Sequence, residues 1–428
     1  MRQISLHSID DKEVEEKDMS DIKVIQGGIT AAKGFKAAYT EAGVKYPNRK
    51  DMAMVYSETP CVSAGTFTSN VVKAACVQWD MKIVKSDMPM HGVVVNTGIA
   101  NACTGQEGFD ACEKTAKAMS DKLGIPVDSI AVGSTGVIGM QLPVDRLVAG
   151  VNAMCDKLDS SIENGTNASI AIMTTDTVNK EYAVQFELGG HTVTLGGMSK
   201  GSGMIHPNMC TMLAFLSSDI AIEKSLMQEA VSDVIADTFN MISVDGDTST
   251  NDTFILMANG LAGNDKITSK NADYDTFKKA LSVVCEFLAR KMASDGEGAT
   301  KLFTAHVVNA SSKQDAKVLA RSIISSNLSK AAIYGCDANF GRFLCAMGYS
   351  GVTFDQTKVE LFFESKAGRL QVFKMGVPLE FDEEFATKIM KEEEVIVYVD
   401  MHDGDAEATA WGCDLTYDYV KINADYRS

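Results

Sequence analysis

The alternation of apolar and polar positions along the chain predicts short strands and amphipathic helices in irregular succession. Ordered structure is expected to begin near Val24. Short strands are predicted at Asp51–Val55, Gly92–Val95 and Ser129–Val132. Between the last two lies Gly108–Gly124, whose Ala111, Thr115, Ala116 and Met119 keep helical spacing and whose final Gly stops the helix. A second helix is expected over about Pro143–Leu158, followed by a strand in Ala168–Thr177. Two alternating runs, Glu181–Leu188 and His191–Gly197, joined by Gly189 and Gly190, read as a β-hairpin. The Gly-rich stretch Gly196–Gly203 reads as a loop leading to a buried apolar strand that starts at about Thr211. Long helices are predicted at Asp219–Met241 and Asp273–Ser294. Further strands fall at Phe254–Ala258, Phe303–Val308, Val359–Glu364, Val395–Asp400, Glu407–Cys413 and Tyr419–Asn423. This order of elements implies an α+β protein with packed sheets and helices outside.

Composition narrows the function classes. The chain has 428 residues, 40 basic against 57 acidic, hence a net charge of −17, which disfavours nucleic acid and anionic membranes as partners. Its 10 Cys include no C-x-x-C, which fits a reducing compartment, and with no apolar stretch long enough to span a bilayer and a polar, acidic N-terminus the expected location is cytoplasmic. Residues 1–22 read as a flexible acidic extension. No metal site is expected: Asp400, His402, Asp403 and Asp405 read as a solvated turn between strands, and Asp245–Asp252 lacks the Gly and Glu of a calcium loop. No phosphate-binding loop or hydrolase elbow is present.

Thr211 stands out because it follows a Gly-rich loop and Lys200 and heads an apolar strand. A Thr hydroxyl becomes a useful nucleophile when a base lies beside it, and that base can be its own α-amine if the chain is cut just before it.

The segment KGSGMIHPNMCT (Lys200–Thr211) resembles the autocleavage segment of the ornithine acetyltransferase, or glutamate N-acetyltransferase, family. The resemblance extends in order through GGITAAKGFKAA (Gly27–Ala38), NTGIANACTG (Asn96–Gly105), GSTGVIG (Gly133–Gly139), MTTDT (Met173–Thr177), DGDTSTND (Asp245–Asp252), DGEGATK (Asp295–Lys301), YGCDANFGR (Tyr334–Arg342) and YVKINADYRS (Tyr419–Ser428). The chain departs from the family in having Cys210 where Ala is usual, and in its acidic extension.

The resemblance implies a layered α/β/β/α sandwich like that of certain N-terminal-nucleophile aminopeptidases. It implies self-cleavage between Cys210 and Thr211 into an α chain (residues 23–210 after the extension) and a β chain (residues 211–428), assembled as two of each. It implies Thr211 as nucleophile, Thr135 and the Gly136 N–H as oxyanion donors, and Thr177, Lys200, Thr211, Glu297, Asn423 and Ser428 as substrate contacts. The implied reaction moves acetyl from N2-acetyl-L-ornithine to L-glutamate by a ping-pong route in arginine biosynthesis. No cofactor is implied; acetyl-CoA as a co-substrate stays open, since some members use it. An amidase or aminopeptidase on the same fold is the alternative.

Overall fold

The computed structural model describes residues 21–206 and 212–425. The strands are β1 (Ile22–Ile25), β2 (Phe35–Thr40), β3 (Met52–Phe67), β4 (Met90–Ile99), β5 (Ile130–Val137), β6 (Lys180–Leu188), β7 (His191–Lys200), β8 (Leu213–Ser218), β9 (Ile242–Ser243), β10 (Thr253–Ala258), β11 (Leu302–Ala310), β12 (Glu360–Ser365), β13 (Gly368–Lys374), β14 (Val377–Pro378), β15 (Glu394–Asp400) and β16 (Ala406–Cys413). The helices are α1 (Ala75–Lys85), α2 (Gly105–Leu123), α3 (Val144–Cys155), α4 (Ile162–Ala171), α5 (Lys224–Asp237), α6 (Ala272–Ser294), α7 (Lys313–Ser325), α8 (Asn327–Tyr334), α9 (Phe340–Gly348), α10 (Glu383–Met390) and α11 (Tyr417–Ala424).

Strand β3 turns a corner. Its first half pairs with β2 and β4, and its second half, Val62–Phe67, pairs with β10. The register shifts between Tyr56 and Cys61, where Pro60 has no N–H to give to a ladder. One sheet therefore folds over on itself as two packed layers: β2, β3, β4 and β5 above, and β1, β6, β7, β8, β10 and the end of β3 below. Phe35, Ala53, Val55, Val93 and Val95 from above meet Met198, Leu213, Phe215, Ile255 and Met257 from below. Helices α2 and α3 cover the upper outer face through Met119, Leu147 and Met154 against Met52, Met54, Val94 and Val132. Helices α5 and α6 cover the lower outer face through Val231, Phe277 and Leu281 against Val184, Leu195 and Leu216. The result is the expected α/β/β/α sandwich. A second sheet, in the order β14-β13-β12-β15-β11-β16-β9, lies beyond α6 and packs on α7.

Several expectations need correction. Ala168–Thr177 is not a strand: Ile162–Ala171 is helical, because the Ser161 hydroxyl caps it by accepting from Asn164 N and Gly165, Ala168 and Ala171 bury one side. A short apolar run reads equally as buried helix or strand. Tyr419–Asn423 belongs to helix α11, whose cap is the Thr416 hydroxyl accepting from Tyr419 N. The loop expected from Gly196 starts only after Lys200, since Gly196–Lys200 ends β7 against β8. The helix expected from Asp219 begins at Lys224. The first strand starts at Ile22, one residue inside the expected extension. The hairpin, α2 with its left-handed Gly124 cap, and α6 stand as expected.

Phe215 is fully buried at the centre of the interface between the layers. Phe215→Ala is expected to lower stability by about 3–5 kcal/mol, read as a lower urea midpoint with an unchanged slope.

Candidate active site

The three strands β7, β8 and β10 lie side by side and end together. Lys200 pairs with Leu213 across β7 and β8, and Leu213 pairs with Thr253 across β8 and β10. Their ends and the end of β5 surround a cavity of about 290 Å³. Thr135, Gly136, Lys200, Glu297 and Asn423, five of the residues implied by the motifs, line it together with Thr174, Thr175, Met212, Asn251 and Asp252. Cys210, Thr211 and Ser428 lie outside the described residues, and Met212 directly follows Thr211 in the chain. Thr177 is placed elsewhere: its N–H and hydroxyl donate to Asp295, and it lines the neighbouring cavity.

Thr135 and Gly136 belong to β5. They pair with Thr97 and Gly98 of β4, where the register shifts. Gly136 has φ +134°, and a Cβ there would lie 2.2 Å from the Gly98 carbonyl carbon. A side chain cannot fit, so only Gly lets β5 approach β4 this closely at the rim of the cavity. Asn251 locks this strand end to the β10 side, donating through Nδ2 to Ser134 O at 2.8 Å and to Ala100 O at 2.5 Å.

Beneath the cavity lies a buried chain of charges. Lys180 Nζ is 2.8 Å from Asp176 Oδ1 and 2.6 Å from Asp295 Oδ2, with all three side chains almost fully buried. Asp176 also accepts from Gly201 N and Thr174 N, and its second oxygen lies 3.9 Å from Lys200 Nζ. Burial alone would raise the Asp176 carboxyl, but Lys180 and Lys200 hold it below the ordinary carboxylate range. Burial would likewise lower Lys180, and the two aspartates more than offset it. Lys200 is pushed down by burial, with Lys180 adding to the effect and Asp176 opposing it. It is a buried lysine on the cavity wall whose nearest carboxylate, Asp176, is 3.9 Å away and shared with Lys180, with Glu297 and Asp252 farther off.

Glu297 follows α6, nearly buried, and its N–H donates to Ser202 O. Asn423 Nδ2 donates to Glu297 Oε2 at 2.8 Å, which brings the C-terminal helix α11 to the site. Gly203 leaves room for the Glu297 carboxylate, which a Cβ there would meet at 2.4 Å and displace. The cavity is thus lined by a lysine, a carboxylate, and a strand-end threonine beside a glycine. That set suits a small zwitterionic ligand and the stabilisation of an oxyanion. The positions of Asp176, Lys180, Asn251, Asp252 and Asp295 were not foreseen as site residues. The available signal was the motifs themselves, since Asp176 lies in MTTDT, Asn251 and Asp252 in DGDTSTND and Asp295 in DGEGATK.

The architecture is a layered α/β/β/α sandwich, and its charged cavity lies where the two layers' strands end. The chain belongs to the ArgJ family, matching it over residues 36–428. It is 48% identical over 411 residues, 96% of this chain and 100% of the relative, to the arginine biosynthesis bifunctional protein ArgJ 1 of Clostridium acetobutylicum. It is 42% identical over 404 residues to the ArgJ protein of Bacillus subtilis, covering 94% of this chain and 97% of that one. A crystal structure of ArgJ from Bacillus halodurans aligns at TM-score 0.47 and 44% identity over 49% of this chain and 97% of that chain. The ornithine-bound ornithine acetyltransferase of Mycobacterium tuberculosis aligns at TM-score 0.41 and 38% identity over 44% of this chain and 99% of its own. Among the described residues no helix is long and apolar enough to cross a membrane.

Because Asp176 is held low, the ion pairs stabilise the fold above the ordinary aspartate range, and that contribution fades as pH falls through the lowered folded value. Lys180→Met leaves two buried carboxylates without their shared cation and is expected to cost about 3–5 kcal/mol near neutral pH. The gap from the parent should narrow as pH drops below the carboxylate range, measured by urea unfolding across pH.

Proposed function

We propose that this ArgJ-family acetyltransferase moves acetyl from N2-acetyl-L-ornithine to L-glutamate through an acetyl ester on Thr211, after cutting itself between Cys210 and Thr211. The observation that carries the proposal is the convergence of Thr135, Gly136, Lys200, Glu297 and Asn423 on one cavity with Met212, the residue that follows Thr211. Family membership places the activity in arginine biosynthesis.

In this reading the freed Thr211 amine, with a pKa of about 7.7–8.0 for an ordinary α-amine, takes the hydroxyl proton as the oxygen attacks the acetyl carbonyl. The Thr135 hydroxyl and Gly136 N–H donate to the oxyanion. The proton then passes to the departing ornithine nitrogen. Glutamate enters the same cavity, attacks the ester and leaves as N-acetylglutamate. Lys200 faces the substrate carboxylate, and Glu297, steadied by Asn423, faces the ornithine side-chain ammonium. Thr177 acts through Asp295 on this reading, and Ser428 is a further substrate contact. No cofactor takes part; acetyl-CoA enters as an alternative acetyl donor to the same threonine.

The strand order supports retention of both pieces after a cut. Strands β8 and β10, downstream of the junction, lie between β7 and β3, upstream of it. Residues 23–210 and 211–428 would thus share one sheet and stay associated, and we place two copies of each in the mature enzyme, located in the cytoplasm.

Denaturing intact-mass measurement is expected to give two chains, the second starting at Thr211, whereas Thr211→Ala gives one inactive chain. A single chain from the parent protein would refute the self-cleavage. Thr135→Ala is expected to lower kcat by about 10²–10³ with KM for acetylornithine little changed. Acetate release without N-acetylglutamate formation would favour the amidase.

A further inference from the structure

Asp252 ends the DGDTSTND segment just before β10, and the transfer reaction gives it nothing to do. Its side chain lines the cavity, yet the residue is only 1% exposed. Neither carboxyl oxygen has a hydrogen-bond partner among the described residues. A carboxyl buried in this way is costly and rarely kept without use. The backbone around it is clamped: Thr68 N donates to Asp252 O at 3.0 Å, and Thr253 N donates to Met212 O at 2.7 Å. Since Thr253 and Leu213 are partners in parallel register, Asp252 lies beside Met212 and so one residue from Thr211. The hydroxyls of Ser249 and Thr68 and the Met212 N–H lie near the carboxyl without closing a well-formed hydrogen bond to it, the Thr68 hydroxyl donating instead to Ser249 O, and the Lys200 ammonium is the cation that faces it.

Before the chain is cut, the nitrogen of Thr211 is an amide and cannot act as a base. The amine that serves acetyl transfer does not yet exist, so the first attack needs a different proton acceptor. We propose that Asp252 is that acceptor: it takes the Thr211 hydroxyl proton during self-cleavage. The inference rests on the reading that Thr211 cuts its own peptide bond. As the Thr211 oxygen bonds to the Cys210 carbonyl carbon, its proton passes to the Asp252 carboxylate. Collapse of the adduct breaks the carbon–nitrogen bond, and Asp252 returns the proton to the departing nitrogen. Water then adds to the ester, giving its hydroxyl to the Cys210 carbonyl and its remaining proton to the threonine oxygen. Asp252 ends as it began. Burial raises this carboxyl well above its ordinary value, which makes it a stronger base than an exposed aspartate. The nearest charge is Lys200 of β7, itself faced by Asp176, Lys180 and Glu297.

The test follows conversion of the full chain to two pieces after cell-free synthesis, by denaturing mass spectrometry from mildly acidic to mildly alkaline pH. Parent cleavage is expected to slow as pH falls and the carboxylate takes up a proton. Asp252→Asn is expected to cut about tenfold or more slowly and to lose that acid limb, and Asp252→Glu to restore part of the rate. Circular dichroism and thermal melting against the uncut Thr211→Ala chain establish that the variant is folded. Cleavage of Asp252→Asn at the parent rate, or slower cleavage with the parent's pH profile, overturns the proposal. If Asn prevents folding, Asp252→Glu decides: a displaced acid limb supports the role, and an unchanged one overturns it. A parent chain never cut before Thr211 defeats the underlying reading instead, so the two failures are distinct.

Discussion

The site depends on Asp176. This one carboxylate, at the end of MTTDT, is hydrogen-bonded to Lys180, lies 3.9 Å from Lys200 and receives the backbone N–H groups of Gly201 and Thr174. Burying a lysine and two aspartates carries a desolvation penalty that their attraction more than offsets at Asp176 and Lys180, yet well-packed apolar residues can often fill such a space at similar stability. Its effect is positional. Lys180 begins β6 and Lys200 ends β7, adjacent strands of a hairpin, while Asp295 closes α6 just before Glu297. The cluster ties strand ends and helix end to one point, and it leaves Lys200 with a shared counter-ion so that its charge faces the cavity.

Much of the fold follows from local pattern. Strict alternation on either side of Gly189-Gly190 can be satisfied only by a hairpin with one face buried. Helical spacing along α2 and α6 left equally little choice. The errors arose where local pattern is degenerate. Ile170 and Ile172 in an apolar run suit a strand as well as a helix, and the Ser161 cap decides between them. Tyr419–Asn423 alternates by chance on a helix that buries no residue fully, so no core periodicity marks it. The run Gly196–Lys200 has loop composition, yet it is sheet because Gly196 and Gly197 let neighbouring backbone come close, with Gly28 O 2.1 Å from where a Cβ would be.

The site was legible to the extent that motifs carry it. Thr135, Gly136, Lys200, Glu297 and Asn423 came from segments far apart in sequence and met at one cavity. What sequence did not reveal is the support beneath them. Buried charges are uncommon, and whether a given Asp is paired, shared or left alone is decided by tertiary contact rather than by neighbours in the chain. Asp176 and Asp252 are chemically identical in sequence, but the first is held low by two lysines and the second is driven up by burial. Asn251 behaves similarly: its role in joining β5 to β10 exists only once both strands are in place.

Strands β8 and β10 interleave between upstream strands, so the proposed cut before Thr211 would divide one sheet and not separate two folding units. Met212, the residue that follows the proposed cut, lines the cavity. The central claim is that acetyl rests on that threonine between donor and acceptor. The most direct measurement mixes the enzyme with N2-acetyl-L-ornithine in the absence of glutamate, quenches in acid, and maps the mass of the downstream chain. The account predicts a chain heavier by one acetyl group located at Thr211, reverting to the unmodified mass when glutamate is added. An unmodified chain during active turnover, or acetyl on another residue, would contradict it.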